Sequence, residues 1–342
     1  MRPTFSIICF TVLSGLGYGA WFLLGLLAAA DWPCGPAWTP SPGLCLRPGA
    51  PAWLGPIGFV LVSAGLLCSL GHLGQPQRAW RALSQWRSSW LSREGVAALL
   101  TFLPAVALVL LDFAAAGALA GLAPGDAHAL RAGGVPVRAL LGGLLALGAL
   151  STVVCTANIY ASLKPIRAWH DRHVVPGYLL LGLYGGMLLA WLADALPGWS
   201  IGAGERRILL VGLIALALAG AWLKHRYWRS IDAQPATSAG HSTGLSALGT
   251  VRSFEQPHTE DNYLTHEMGF VLARKHARKL RRITLVAAFL LPALLAMLAL
   301  AMPVIQPLAA WLALACGLAG LFVERWLFFA EAKHTVMAYY GR

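Results

Sequence analysis

Long apolar runs joined by short basic connections dominate this sequence and limit its fold more than any motif does. The clearest case is residues 148–178, GALSTVVCTANIYASLKPIRAWHDRHVVPGY. An apolar run carrying Ser151, Thr152, Cys155, Thr156, Asn158 and Tyr160 gives way to Lys164, Arg167, His170, Asp171, Arg172 and His173. Pro176 and Gly177 then open the next run. A soluble αα-hairpin can look like this once; its recurrence along the chain excludes that reading. Runs of about 20 apolar residues suffice to cross a hydrocarbon layer roughly 30 Å thick. In lipid such a span has to satisfy its own backbone, which makes it a helix. The chain is 58% hydrophobic and only 12% charged, about half the charge of an ordinary globular domain.

The sequence therefore predicts an all-α integral membrane protein, an eight-transmembrane-helix bundle. The spans fall near 4–29, 52–73, 95–122, 135–161, 176–195, 207–228, 283–302 and 307–329. Pro104 and Pro292 lie inside two of them and are expected to kink their helices, with the freed carbonyls finding other partners. The joint Pro303-Val304-Ile305-Gln306-Pro307 separates the last two spans. Residues 3–30 stay apolar too long for a cleavable leader, and Asp31-Trp32-Pro33 is no small-residue cleavage site, so this run reads as a retained first helix.

The net charge of +12 looks like a nucleic-acid signal until its distribution is considered. Arg47, Arg131, Arg138, Arg206 and Arg207 fall on one side of the eight-span layout, and the other 21 of the 26 basic residues on the opposite side. By the positive-inside rule both termini and the even-numbered loops are cytoplasmic. The charge is a topology signal, and no nucleic-acid partner is expected.

Only residues 229–282 make a sizeable excursion from the bilayer. The first half is rich in Ser, Thr, Gly and Ala and reads as a surface loop. The second can form an amphipathic helix, capped by Thr265, with Met268, Phe270, Val271 and Leu272 as its apolar surface and Arg274 to Arg282 as a basic end. That end suits anionic lipid headgroups or an acidic protein partner equally. In the first loop, Cys34 and Cys45 stand on the side opposite the basic rim, where an oxidising compartment permits a disulfide. Closing that loop is worth roughly 3 kcal/mol; two unreactive thiols are the plainer alternative.

Chemistry can sit where the second span ends, at Leu70-Gly71-His72-Leu73-Gly74-Gln75-Pro76-Gln77-Arg78-Ala79-Trp80-Arg81. An imidazole at the headgroup level can exchange a proton with a quinone oxygen. Gly71 and Gly74 allow close approach, and Arg78 and Arg81 can orient acidic groups; a solvent-exposed helix-end histidine is the bland reading. Asn158 and Tyr160 fit a quinone pocket or ordinary helix packing. Asp112 is the carboxylate deepest in an apolar span, either a proton relay or the partner of a cation on another helix. Glu94 lies at a span boundary, and Glu324-Arg325 reads as a structural ion pair. All ten histidines fall at helix ends or in loops, so no haem is expected, since a low-spin haem needs two embedded axial ligands. No cysteine cluster suggests an iron–sulfur centre bound by this chain.

The chain resembles, over nearly its full length, the membrane-anchor subunit of dimethyl sulfoxide reductase-type molybdoenzymes. The match rests on the segment Leu70 to Trp80 followed by Ser92-Arg93-Glu94, on Asn158-Ile159-Tyr160-Ala161-Ser162, and on Glu324-Arg325 with His334-Thr335-Val336. The resemblance places His72 on the histidine implicated in quinol binding, Arg78 on its basic neighbour, and Glu94 on the acidic residue that begins the third helix. It implies eight helices, no haem, and work beside a molybdopterin catalytic subunit and a four-cluster iron–sulfur subunit, with menaquinone or ubiquinone as the redox partner. The long sixth loop departs from the short form of that family. A cytoplasmic basic face in the bacterial inner membrane resembles the cytoplasm-facing, sulfite-oxidising members more than reductases whose catalytic pair is exported. The expected flow is thus from sulfite to quinone, with a quinol-oxidising reductase anchor as the alternative. Eight helices and Asp112 also suit a secondary transporter, and an anchor without a quinone pocket is the third reading.

Overall fold

The computed structural model describes residues 3–30, 53–71, 73–115, 131–132, 135–196, 201–234, 238–252, 254–255, 258, 260 and 272–340. His72, Cys34, Cys45, Thr265, Met268, Phe270 and Val271 lie outside the described residues. The long helices are α1 (Phe5–Ala30), α2 (Leu54–Leu70), α3 (Trp90–Ala115), α4 (Val137–Ala161), α5 (Val174–Asp194) and α6 (Ala203–Asp232). After them come α7 (Leu272–Thr284), which runs through a π-helical stretch (Leu285–Leu290) into α8 (Leu291–Ala301), and then α9 (Gln306–Ala330). Among the described residues seven helical rods are long and apolar enough to cross a membrane, α7 and α8 counting as one rod. The apolar α2 is shorter, at 17 residues. A two-residue antiparallel pair, Arg131–Ala132 with Val135–Pro136, precedes α4.

Helix α1 forms the axis of the bundle and packs on α2, α4, α5 and α9. It carries no charged residue and is rich in small ones, which lets other backbones come close. A Cβ on Gly19 would stand 1.8 Å from the carbonyl oxygen of Gly182 in α5, and one on Gly25 2.6 Å from that of Gly142 in α4. Trp21, fully buried, donates its indole N–H to the Gly55 carbonyl of α2 at 3.1 Å. Its ring meets Phe102 of α3 edge-on at 5.1 Å.

Helices α6 and α7 both overrun their expected spans. At 30 residues α6 is about 45 Å long, more than a hydrocarbon layer needs. Its last turns join the loop after α4 and the end of α9. Tyr227 donates to the Ala168 carbonyl (3.1 Å), Trp169 to that of Phe328 (2.9 Å), and the Thr335 amide to that of Pro165 (3.0 Å). The connections the sequence marks as basic are here gathered at one end of the molecule.

Pro292 explains the break in regularity between α7 and α8. Proline has no N–H for the carbonyl four residues back, which is Ala288. The backbone is π-helical just before the proline, and the buried Tyr184 hydroxyl of α5 donates to the Ala288 carbonyl, which Pro292 cannot serve. Gly320 of α9 packs against the same residue, where a Cβ would lie 2.2 Å from the Ala288 nitrogen. Helix α3 continues through Pro104.

Candidate functional site

The chain leaves α2 at Gly71, whose amide donates back to the Cys68 carbonyl at 3.0 Å. Gly74 is exposed, with open space where a side chain would point. Residues Pro76–Gln85 form a 3-10 helix with no buried residue, which leaves Arg78 and Arg81 on the surface and the Arg81 guanidinium 5.6 Å above the Trp80 ring. This segment is tied to the start of α3. Ser92 donates to the Ala82 carbonyl, and Arg93 to those of Trp86 (3.0 Å) and Arg87 (2.6 Å). The stretch that follows His72 is thereby held against the first turns of α3, which carry Glu94.

Glu94 is only 5% exposed. Its Oε1 accepts a hydrogen bond from Thr156 of α4, one turn beyond Thr152, which faces Thr101 of α3 at 3.4 Å. A buried carboxyl with a single hydroxyl donor on one oxygen is an arrangement that can hold or release a proton. Tyr160, one turn further along α4, sits in an aromatic cluster with Trp169 (5.2 Å), Tyr178 (6.0 Å), Phe328 (5.5 Å) and Phe329 (5.4 Å). Asn158 satisfies its amide within its own helix, donating to the Val154 carbonyl at 2.8 Å.

Asp112 stands apart from this group, about 27 Å further along α3 at 1.5 Å per residue. It pairs with Arg138 at the start of α4, Nε to Oδ1 3.0 Å, both side chains buried. The same far end holds Asp194, which accepts from Arg206 (2.6 Å), Gln306 (2.6 Å) and the Ile201 amide (2.9 Å).

Sequence reasoning did not find the second polar centre in full. Glu324 of α9 is completely buried and accepts from Arg325 as well as from Lys224 of α6, Nζ to Oε1 2.5 Å. Both cations also lie on aromatic faces: Arg325 over Tyr178 (4.4 Å) and Phe328 (4.9 Å), Lys224 over Tyr227 (4.2 Å). Desolvated cations on such faces gain roughly 2 kcal/mol. Further out, Arg281 bridges Asp232 (2.5 Å) and Glu331 (2.9 Å). Burial raises the Glu331 carboxyl above its ordinary value, against the pull of Arg281. Asp171 goes the other way. Burial alone would raise it, but hydrogen bonds from Ser230 and from the amide and ring of His173, with the His173 charge, hold it below its ordinary value.

A family profile described as DMSO reductase anchor subunit (DmsC) matches residues 54–330. A relative from Allochromatium vinosum, the C component of its sulfite dehydrogenase, is 31% identical over 352 residues, which covers 99% of this chain and 99% of that one.

Proposed function

Because this chain belongs to the DMSO reductase anchor subunit family, we propose that it binds quinone at the basic end of the bundle. There it exchanges electrons with a four-cluster iron–sulfur subunit that serves a molybdopterin catalytic subunit. The observation that carries the reading is the buried Glu94–Thr156 pair, set beside the segment that continues from His72. Reducing a quinone takes two electrons and two protons. This chain's residues handle the protons: an acid beside a ring oxygen donates one and has to be recharged. Electrons arrive from clusters in the partner.

The site lies in a bundle of eight spans, α2 included, with both termini and the basic end on the cytoplasmic side of a bacterial inner membrane. Exposed arginines along 78–87 and the basic α7 suit anionic lipid and the acidic surface of the iron–sulfur partner. The favoured direction is sulfite to quinone, supported by the full-length relative that belongs to a sulfite dehydrogenase. The family description favours the second reading, a quinol-oxidising reductase anchor.

The test uses the intact complex. Replacing His72→Leu or Glu94→Gln should leave assembly intact and slow quinone-linked turnover roughly 100-fold, the usual size of a lost acid–base group. Wild-type quinone kinetics in both variants would reject the site.

A further inference from the structure

Between α1, α4, α5 and α9 lies a cavity of about 30 Å³, lined among others by Tyr18, Thr156, Tyr178 and Arg325. Its volume is far below that of a quinone ring site and matches two water molecules at about 10–15 Å³ each. The tyrosine hydroxyls on it are orphaned. Tyr18 is 2% and Tyr178 8% exposed, and neither hydroxyl has a hydrogen-bond partner among the described residues. Thr152 lies near the first and Arg325 near the second. Leaving two hydroxyls dry would cost roughly 1–3 kcal/mol each. The same walls offer acceptor lone pairs on Thr11 and Ser14, whose own protons go to carbonyls in α1. The space is half open and mostly apolar, but the two hydroxyl donors and several acceptors that face it give water the two to four polar partners it needs.

Position gives this water a task. On one side of the cavity Thr156 donates to Glu94. On the other, Arg325 leads to Glu324 and Lys224, and Lys224 lies within electrostatic reach of Glu331, whose Oε2 is a further buried oxygen without a partner among the described residues. Glu331 pairs with Arg281, and Arg281 with the exposed Asp232 at the molecule's edge.

We propose that ordered water in the Tyr18–Tyr178–Arg325 cavity is the proton-carrying link between Glu94 and the buried Lys224–Glu324–Arg325 cluster. The proposal rests on the quinone reading of Glu94. When Glu94 gives its proton to a quinone oxygen, Thr156 passes its hydroxyl proton to the carboxylate and takes one from cavity water. Lys224 passes a proton to Glu324, which it contacts, Glu324 passes it to water and so to the tyrosine hydroxyls, and Lys224 regains a proton from the side of Glu331. Each hop breaks one O–H or N–H bond and forms another, so one proton enters the cluster for each that reaches the quinone, and no electron moves along the route. Arg325 keeps its proton throughout and orients the water.

Tyr18→Phe, Tyr178→Phe and the double variant remove only the hydroxyls and keep both rings in place. In the intact complex, with decylubiquinone as acceptor, the double variant should lower kcat about tenfold. KM should be unchanged and the solvent deuterium isotope effect larger, a signature that a merely structural role for the hydroxyls would not produce. A high-resolution map of the wild-type complex should show water between the two hydroxyls. A dry cavity overturns the proposal whatever the kinetics; so does a wet one with wild-type kcat and isotope effect in the double variant. Glu94→Gln, measured in parallel, separates the two readings. If it is slow while the tyrosine variants are not, the quinone site stands and the water link falls; if it turns over normally, both fall.

Discussion

At the scale of single residues the molecule depends on how it keeps charge inside apolar surroundings. Lys224, Glu324 and Arg325 are all buried, one anion between two cations. Taking ions out of water costs several kcal/mol each, recovered only through close pairing and complete hydrogen bonding. Glu324 is the hinge of that balance, since it answers both cations, and the rings of Tyr178, Phe328 and Tyr227 do the rest. Removing its charge with Glu324→Gln strands two cations and should destabilise the protein by about 3–5 kcal/mol. Lys224→Met removes one cation and leaves a neutral Glu324–Arg325 pair, so it should cost clearly less. Thermal unfolding of both variants in detergent checks the order; equal shifts would mean that packing, and not charge, sets the cost.

At the scale of elements the bundle is held by backbones in close approach and by local repairs where a helix cannot satisfy itself. The repair at Pro292 is the sharper case. If the Tyr184 hydroxyl is needed because Pro292 strands the Ala288 carbonyl, then Tyr184→Phe should cost roughly 1–3 kcal/mol in the wild type. It should cost much less once Pro292→Ala restores an N–H at that turn. A double-mutant cycle by thermal unfolding measures the coupling; additive losses would show that the two residues act independently. The sequence announces the proline and the need for a partner but cannot name Tyr184, which lies 104 residues from the carbonyl it serves. The same limit applies elsewhere. Apolar length places the helices well, because lipid demands it, yet Lys224 reads as a rim charge although α6 runs on past it and buries it. Glu94 and Glu324-Arg325 are visible as polar residues near span ends. Tyr18 is not, because one tyrosine in an apolar run carries no periodic signal, and the cavity beside it exists only where four helices meet.

At the scale of the whole molecule, charge is distributed between two ends, and the structure makes the asymmetry steeper than a count suggests. Of the five basic residues on the sparse side, Arg138 and Arg206 are each paired with an aspartate, Asp112 and Asp194. The opposite end buries Lys224 and Arg325 but leaves Arg78, Arg81, Arg87, Arg226, Arg229, Arg278, Lys279 and Arg282 exposed. Translocating so many uncompensated cations is what the positive-inside rule forbids. Reporter fusions after Arg87 and Arg229 should therefore behave as cytoplasmic, fluorescent with a green fluorescent protein and inactive with alkaline phosphatase, and a fusion after Gly198 should give the reverse. That outcome puts the basic end, with Glu94 just beneath it, on the side where a cytoplasmic catalytic pair would supply electrons. Active phosphatase after Arg87 would invert the molecule, place the same end outside, and favour an exported reductase that draws electrons from quinol.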